Sequence, residues 1–283
     1  MAHVAKNEID RSIKVVVNGA LGRAGKTTID ILCREPGIEI VGVVDVLISK
    51  KNFPLPDGSG QVLSSSNLEQ VLNACKPDVL VDFTEPLATM TAVELASKKG
   101  IHIVIGTTGL TDDQLNKIDE LTKAAGVGAL TGTLSFGIAL VSRLAALASK
   151  YFEYAEIVDL GKMKKLDAPS QAALDFAQAM LKARGKPFKL PPVQTDVSAS
   201  RGGQYHGATI HSLRLSDCYL HEKITFGAPE GTLVTVGVEL TSEAYLYPGI
   251  VVAIEKAGIH KGLVYGFDDL LLDAINEKIR KAE

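Results

Sequence analysis

Apolar positions in the first half of this chain fall into short continuous runs. Residues 13–18 (IKVVVN), 38–46 (IEIVGVVDV), 79–83 (VLVDF) and 102–105 (HIVI) are each bounded by Gly, Pro or polar residues. Between them lie stretches with helical spacing at 26–34, 68–75 and 88–99. A fourth, 111–125, opens on Thr111-Asp112-Asp113, a capping residue followed by acids in the first turn. Runs this short and this uniformly apolar predict strands buried on both faces, as in a parallel sheet. Their alternation with helices predicts an α/β fold, a Rossmann-type doubly wound parallel sheet.

The pattern changes after residue 133. Helical spacing at 137–150 leads to an apolar run at 157–160, then a lysine-bearing loop and a helix over 168–184, opened by Asp167 and Pro169. Residues 186–203 are polar with Pro and Gly, which predicts a loop or arm. From Gln204 onward YHGATIHSLRL, HEKITFGA and TLVTVGVEL alternate in the manner of antiparallel strands. Helical spacing returns over 250–257 and again near the C-terminus. The expected organisation is a dinucleotide-binding domain over 1–133 and an inserted α+β domain over 134–247, with a mixed or antiparallel sheet. C-terminal helices over 248–283 would return to the first domain.

Composition narrows the function class. The chain has 283 residues, 46% of them hydrophobic, and a formal net charge of −3. That balance leaves no basic footprint for nucleic acid or anionic membranes. Three widely spaced cysteines, Cys33, Cys75 and Cys218, form no CxxC pair, so reduced thiols are expected and no metal site. No run reaches the ~18 apolar residues of a membrane span. The expected location is the cytoplasm, or an organelle stroma if a transit peptide has been removed.

Two glycine turns carry the clearest chemistry. Gly19-Ala20-Leu21-Gly22-Arg23-Ala24-Gly25 follows a strand and opens a helix. Glycines there allow a tight turn and let backbone approach a pyrophosphate, which the helix N-terminus stabilises. Asp45 ends the second strand, 20 residues beyond Gly25, where a carboxylate can accept from ribose hydroxyls and favour NADH. Arg23, Lys50 and Lys51 could instead neutralise a 2′-phosphate, so NADPH or NADH is expected. The second turn, Gly106-Thr107-Thr108-Gly109, directly follows the apolar run at 102–105, at the strand end where open α/β sheets bind ligands.

Residues 157–174, IVDLGKMKKLDAPSQAAL, place Lys162, Lys164 and Lys165 beside the start of a helix, an arrangement suited to an anion. This stretch resembles the substrate loop of dihydrodipicolinate reductases, in which a His-His pair and a Lys precede Asp-Ala-Pro-Ser-Gly-Thr. Lys165 and Asp167-Ala168-Pro169-Ser170 match, while Gly161 and Lys162 stand for the His pair and Gln171 and Ala172 for Gly-Thr. The resemblance runs from Ile13 to about Leu270 and includes the GTTG turn, Asp82-Phe83-Thr84, Ile210-His211-Ser212-Leu213-Arg214 and Phe226-Gly227-Ala228-Pro229.

The resemblance implies that Phe83, Thr84, Gly106, Thr107 and Thr108 lie near the nicotinamide. It makes Ser135 and Phe136 a hinge beside the cofactor. Lys165 is then the catalytic residue, with Lys162, Lys164, Ser170, Gln171 and Ala172 binding substrate. A homotetramer joined through the β-rich domains is also implied. Because Gly161 carries no imidazole, the expected activity is NAD(P)H-dependent reduction of a small anionic cyclic imine or enamine other than the family's own. An unaltered lysine-biosynthetic reductase is the alternative, and a non-catalytic assembly factor on the same fold is a third reading.

Overall fold

The computed structural model describes residues 12–190, 192, 200–216, 218–247 and 249–266, with 270, 272–274, 276, 277 and 280 beyond them. These residues divide into two compact units, one within Met1–Gly132 and Gly249–Phe267, the other within Thr133–Pro248 and Asp268–Glu283.

The first unit is built on β1 (Ile13–Asn18), α1 (Arg23–Leu32), β2 (Ile38–Val44), β3 (Asn52–Pro54), β4 (Gln61–Ser65), α2 (Leu68–Cys75) and β5 (Val79–Asp82). It continues through α3 (Pro86–Lys98), β6 (His102–Ile105), α4 (Asp112–Ala125) and β7 (Gly128–Thr131). The second unit holds α5 (Phe136–Ala148), β8 (Tyr154–Lys162), α6 (Gln171–Arg184), β9 (Gly203–Tyr205), β10 (Ala208–Leu215), β11 (Leu220–Gly227) and β12 (Leu233–Leu240). The chain then returns to the first unit with α7 (Gly249–Lys256) and β13 (Gly262–Tyr265).

Sheet order in the first unit is β13-β7-β6-β5-β1-β2-β4-β3, parallel except for the β3–β4 hairpin. Continuous burial of Val15, Val16 and Val17 on β1, and of Val79, Leu80 and Val81 on β5, explains the uninterrupted apolar runs. The chain proceeds outward from β1 to β2 and β4, then starts again on the other side of β1 with β5. This reversal is a topological switch point, so the loops after β1 and β5 diverge and open a crevice at the carboxyl edge of the sheet. The predicted doubly wound sheet is therefore present, with three additions. The β3–β4 hairpin turns at Leu55–Gly60, where Asp57 Oδ1 accepts from Ser59 N–H at 3.0 Å. Its Pro-Asp-Gly turn lies in the sequence, but the flanking strands are too short to carry a pattern. β7 and β13 likewise are four residues each.

In the second unit the order is β12-β11-β8-β10-β9. Ile157, Ile210, Ile224 and Phe226 pack against Ile138, Val141 and Ala145 of α5 and against Ala173, Phe176 and Met180 of α6. Full burial of Phe176 and Phe226 contributes roughly 2–3 kcal/mol each. The sheet is mixed, one of the two forms expected: β10 runs parallel to β8, and the remaining pairs are antiparallel. One expectation is corrected here. The predicted strand 157–160 extends to Tyr154–Lys162, which places Lys162 at the end of a strand rather than in a loop. Of the predicted loop 186–203, the described residues carry no helix or strand before Gly203, which opens β9, while 191 and 193–199 lie outside the described residues, as does most of the sequence after Gly266.

Candidate active site

At the switch point the glycines of the first turn are required by space. Gly19 has φ +81°, and a Cβ on it would lie 2.5 Å from the Phe83 carbonyl oxygen. A Cβ on Gly25 would come within 2.1 Å of the Gly19 carbonyl oxygen. Backbone therefore stacks on backbone, and α1 begins at Arg23 with Gly22 as its N-cap, a turn earlier than the predicted Lys26. Ala24 lies in the opening turn of α1, and Arg23 is exposed at its start. Asp45, at the end of β2, receives the Leu21 N–H at 2.9 Å and the Leu47 N–H at 3.0 Å. Its carboxylate thus fixes the glycine turn from the next strand.

The second turn is held by a residue outside the predicted set. Asp82 at the end of β5 is fully buried and receives Asn18 Nδ2 at 2.6 Å, Thr89 Oγ1 at 2.6 Å, and the Oγ1 atoms of Thr84 and Thr107 at 3.0 Å. One carboxylate in this way ties the ends of β1, β5 and β6 together. The Thr84 N–H adds a bond to Thr107 Oγ1 at 3.1 Å. The Phe83 ring fills the space beside Gly106, where a Cβ would fall 2.1 Å from it. Thr108 is exposed just beyond. A lone carboxylate closing the run VLVDF was the available signal, since a buried charge requires several donors. The glycine cradle, the N-terminus of α1 and Asp45 together fit the diphosphate and ribose of a dinucleotide.

In the second unit, alternation along β8 turns Ala155, Ile157, Asp159 and Gly161 inward. Buried Asp159 receives the Ser170 N–H at 2.8 Å, Ser212 Oγ at 3.0 Å and Arg214 Nη2 at 3.0 Å. Burial pushes Asp159 up, but these donors outweigh it and hold the carboxyl below its ordinary range. Arg214 also donates to the Asp167 carbonyl at 2.5 Å, stapling the lysine loop to β8. Ser170, not the predicted Asp167, caps α6, accepting the Ala173 N–H at 3.1 Å, and the helix starts at Gln171. Ser170 Oγ in turn donates to Glu222 Oε1 at 2.7 Å. Burial, with the adjacent Asp159 charge, pushes the Glu222 carboxyl up to about 8.

The predicted substrate residues separate into two groups. Lys165 Nζ sits 2.5 Å from Asp167 Oδ2 with its side chain about a third exposed. Lys164 is exposed, and Lys162 Nζ lies 3.7 Å above the Tyr219 ring. Gln171 Nε2 is bonded to Asp175 at 2.9 Å, Ala172 packs on the core, and Ser170 is turned inward with its N–H held by Asp159, so of these three only Gln171 and Ala172 could offer backbone N–H groups to a ligand at the helix start. A Cβ on Gly161 would meet Lys165 Cδ at 3.2 Å and Arg214 Nη1 at 3.4 Å. The lysine stem and the guanidinium thus take up room beside position 161. Ser135 is buried as the N-cap of α5, with Phe136 the first helical residue. His211 pairs with Glu156 at 3.0 Å and His102 accepts the Gly128 N–H at 3.0 Å, both structural roles.

A switch-point crevice with two glycine turns, and a second unit presenting lysines at a helix start, define a two-unit NAD(P)H-dependent oxidoreductase. The chain belongs to the dihydrodipicolinate reductase family: its N-terminal model matches residues 13–132 and its C-terminal model residues 137–271. It is 39% identical over 260 residues to the 4-hydroxy-tetrahydrodipicolinate reductase of Dehalococcoides mccartyi, covering 92% of this chain and 98% of that one. The enzyme of the same name from Moorella thermoacetica is 36% identical over 266 residues, covering 92% and 98%. Among solved structures, the dipicolinate-bound dihydrodipicolinate reductase from Paenisporosarcina sp. TG-14 superposes with a TM-score of 0.77 at 31% identity, covering 91% of this chain and 99% of that one. An amine dehydrogenase from Mycobacterium smegmatis shares the fold (TM-score 0.63, 14% identity, 90% and 95% covered). No described helix is long and apolar enough to cross a membrane.

Proposed function

We propose that this chain reduces 4-hydroxy-tetrahydrodipicolinate with NADH or NADPH. The reading rests on relatives of that name aligned over nearly the whole chain, together with a basic loop at the start of α6 suited to a dicarboxylate. Bound nicotinamide would supply the hydride. Gly19, Leu21, Gly22, Ala24 and Gly25 would hold the diphosphate by backbone N–H groups, with Arg23 at the rim. Asp45 would exchange its bond to Leu21 for the ribose hydroxyls. Phe83, Thr84, Gly106, Thr107 and Thr108 would border the nicotinamide, and Ser135 and Phe136 the crossover beside it. Lys162, Lys164 and the opening N–H groups of α6 would hold the carboxylates, and Lys165 would deliver the proton at Nζ once the anion displaces Asp167. The outer face of β10, with Leu213 and Leu215 exposed, suits the homotetramer interface expected from the family. The test is turnover with Lys165→Ala, expected to fall ~10²–10⁴-fold as for loss of a positioned proton donor. Unchanged turnover removes Lys165 from the chemistry.

One observation favours a second reading, reduction of a different small anionic imine. Arg214 and the Lys165 stem crowd the space beside Gly161, where the family's imidazole acid is expected. Comparing the family substrate with smaller cyclic imino acids separates the two.

A further inference from the structure

Asp159 and Glu222 lie directly opposite each other on β8 and β11, and both are completely buried. Asp159 Oδ1 and Glu222 Oε2 are both buried and receive no N–H or O–H from the described residues. The remaining oxygens are occupied: Asp159 Oδ2 by Ser170, Ser212 and Arg214, and Glu222 Oε1 by Ser170 Oγ. Two buried carboxylates cannot face each other bare, and one proton between them satisfies both free oxygens.

We propose that Glu222 is a positioning residue for substrate binding, whose carboxyl proton bridges to Asp159 and so holds the lysine loop and the start of α6 in their anion-receiving form. The coupling is direct. Ser170 caps α6 and is gripped by both carboxyls, while Arg214 links Asp159 to the Asp167 carbonyl two residues beyond Lys165. Losing the proton sets two negative charges side by side at the base of that loop. The charged groups facing Glu222 are Asp159 from β8 and Arg214 from β10. β12 presents Val238 opposite, and α6 presents its capped N-terminus. Glu222 holds its proton up to about 8, so the bridge is intact at neutral pH and opens under mildly alkaline conditions. Sequence parity gives the same signal, since Glu222 shares the inward face of β11 with Ile224 and Phe226.

This inference rests on the substrate reading above, and dipicolinate serves as the probe. Calorimetric titration with the full chain and NADH should show affinity falling ~10-fold for each pH unit above the point where Glu222 ionises, because only the protonated fraction binds. Glu222→Gln keeps a neutral donor to Asp159 and should bind with no such fall, while Glu222→Ala should bind weakly at every pH. Infrared spectra of the unmodified protein give a check that needs no variant: a protonated carboxyl band at neutral pH should vanish on going to alkaline pH. An alkaline fall that persists in Glu222→Gln, or absence of the band, overturns the role of Glu222 alone. Failure of dipicolinate to bind at any pH, with the band present, overturns the substrate reading and the positioning role with it.

Discussion

At the scale of single residues, the polar groups that organise both candidate sites are buried carboxylates. Asp82 gathers four side chains, and truncating it leaves a buried amide and three hydroxyls without their acceptor. Asp82→Ala is expected to lose about 3–5 kcal/mol in urea unfolding, the range for removing one partner of a buried charged cluster. NADH affinity, followed by fluorescence, should fall with it. Gly161 makes a converse point, since its missing side chain is occupied space and not an opening. Gly161→His must push Lys165 and Arg214 aside, and an overpacking cost of ~1–3 kcal/mol is expected, with weaker substrate binding. A gain in turnover without loss of stability would show instead that the site retains room for the imidazole. The glycines of the two turns were legible from spacing. Asp82, Asp159 and Glu222 stand out in sequence only as acids on apolar strand faces, and their partners do not, because Asn18, Ser212 and Arg214 reach the two aspartates across neighbouring strands.

At the scale of elements, sequence pattern located strands and helices well wherever burial was uniform. β1, β2, β5 and β6 have both faces covered, so their composition alone announces them. The start of α6 was misplaced for a physical reason: Asp167 and Pro169 are good helix openers, but the Asp167 carbonyl is claimed by Arg214 and the cap passes to Ser170. Ser170→Ala therefore removes a cap and a bond to a buried carboxyl together. Its expected cost is about 1–2 kcal/mol, measured by urea unfolding, with Lys165 less well placed and KM raised more than kcat is lowered. The parallel course of β10 beside β8 was hidden because alternation reports which face is buried and not which way a strand runs.

At the scale of the whole molecule, stability should carry the mark of Glu222. Its carboxyl ionises near the ordinary 4.5 when unfolded and at about 8 when folded. Between those values the folded chain binds the extra proton, so this contribution to stability is full below the lower value and is lost as pH rises through the upper. Unmodified protein should therefore lose melting temperature from about pH 5 to about pH 8 relative to Glu222→Gln, and the difference should level off above that. Parallel profiles would mean that Glu222 is ionised in the fold. The two-unit organisation and dinucleotide sheet were legible at this scale because they depend on element order. The filling of the space beside Gly161 by the Lys165 stem and Arg214 was not, since it depends on side chains brought together only by the fold.

The most direct test of the central claim is turnover of 4-hydroxy-tetrahydrodipicolinate, generated in situ by the aldol enzyme that forms it, with NADH and NADPH at matched concentrations. Cofactor oxidation at an ordinary enzymatic rate of ~1–10³ s⁻¹, lost in Lys165→Ala, is the expected result. Tight cofactor binding with no turnover of this substrate would contradict it and assign the hydride to a different imine.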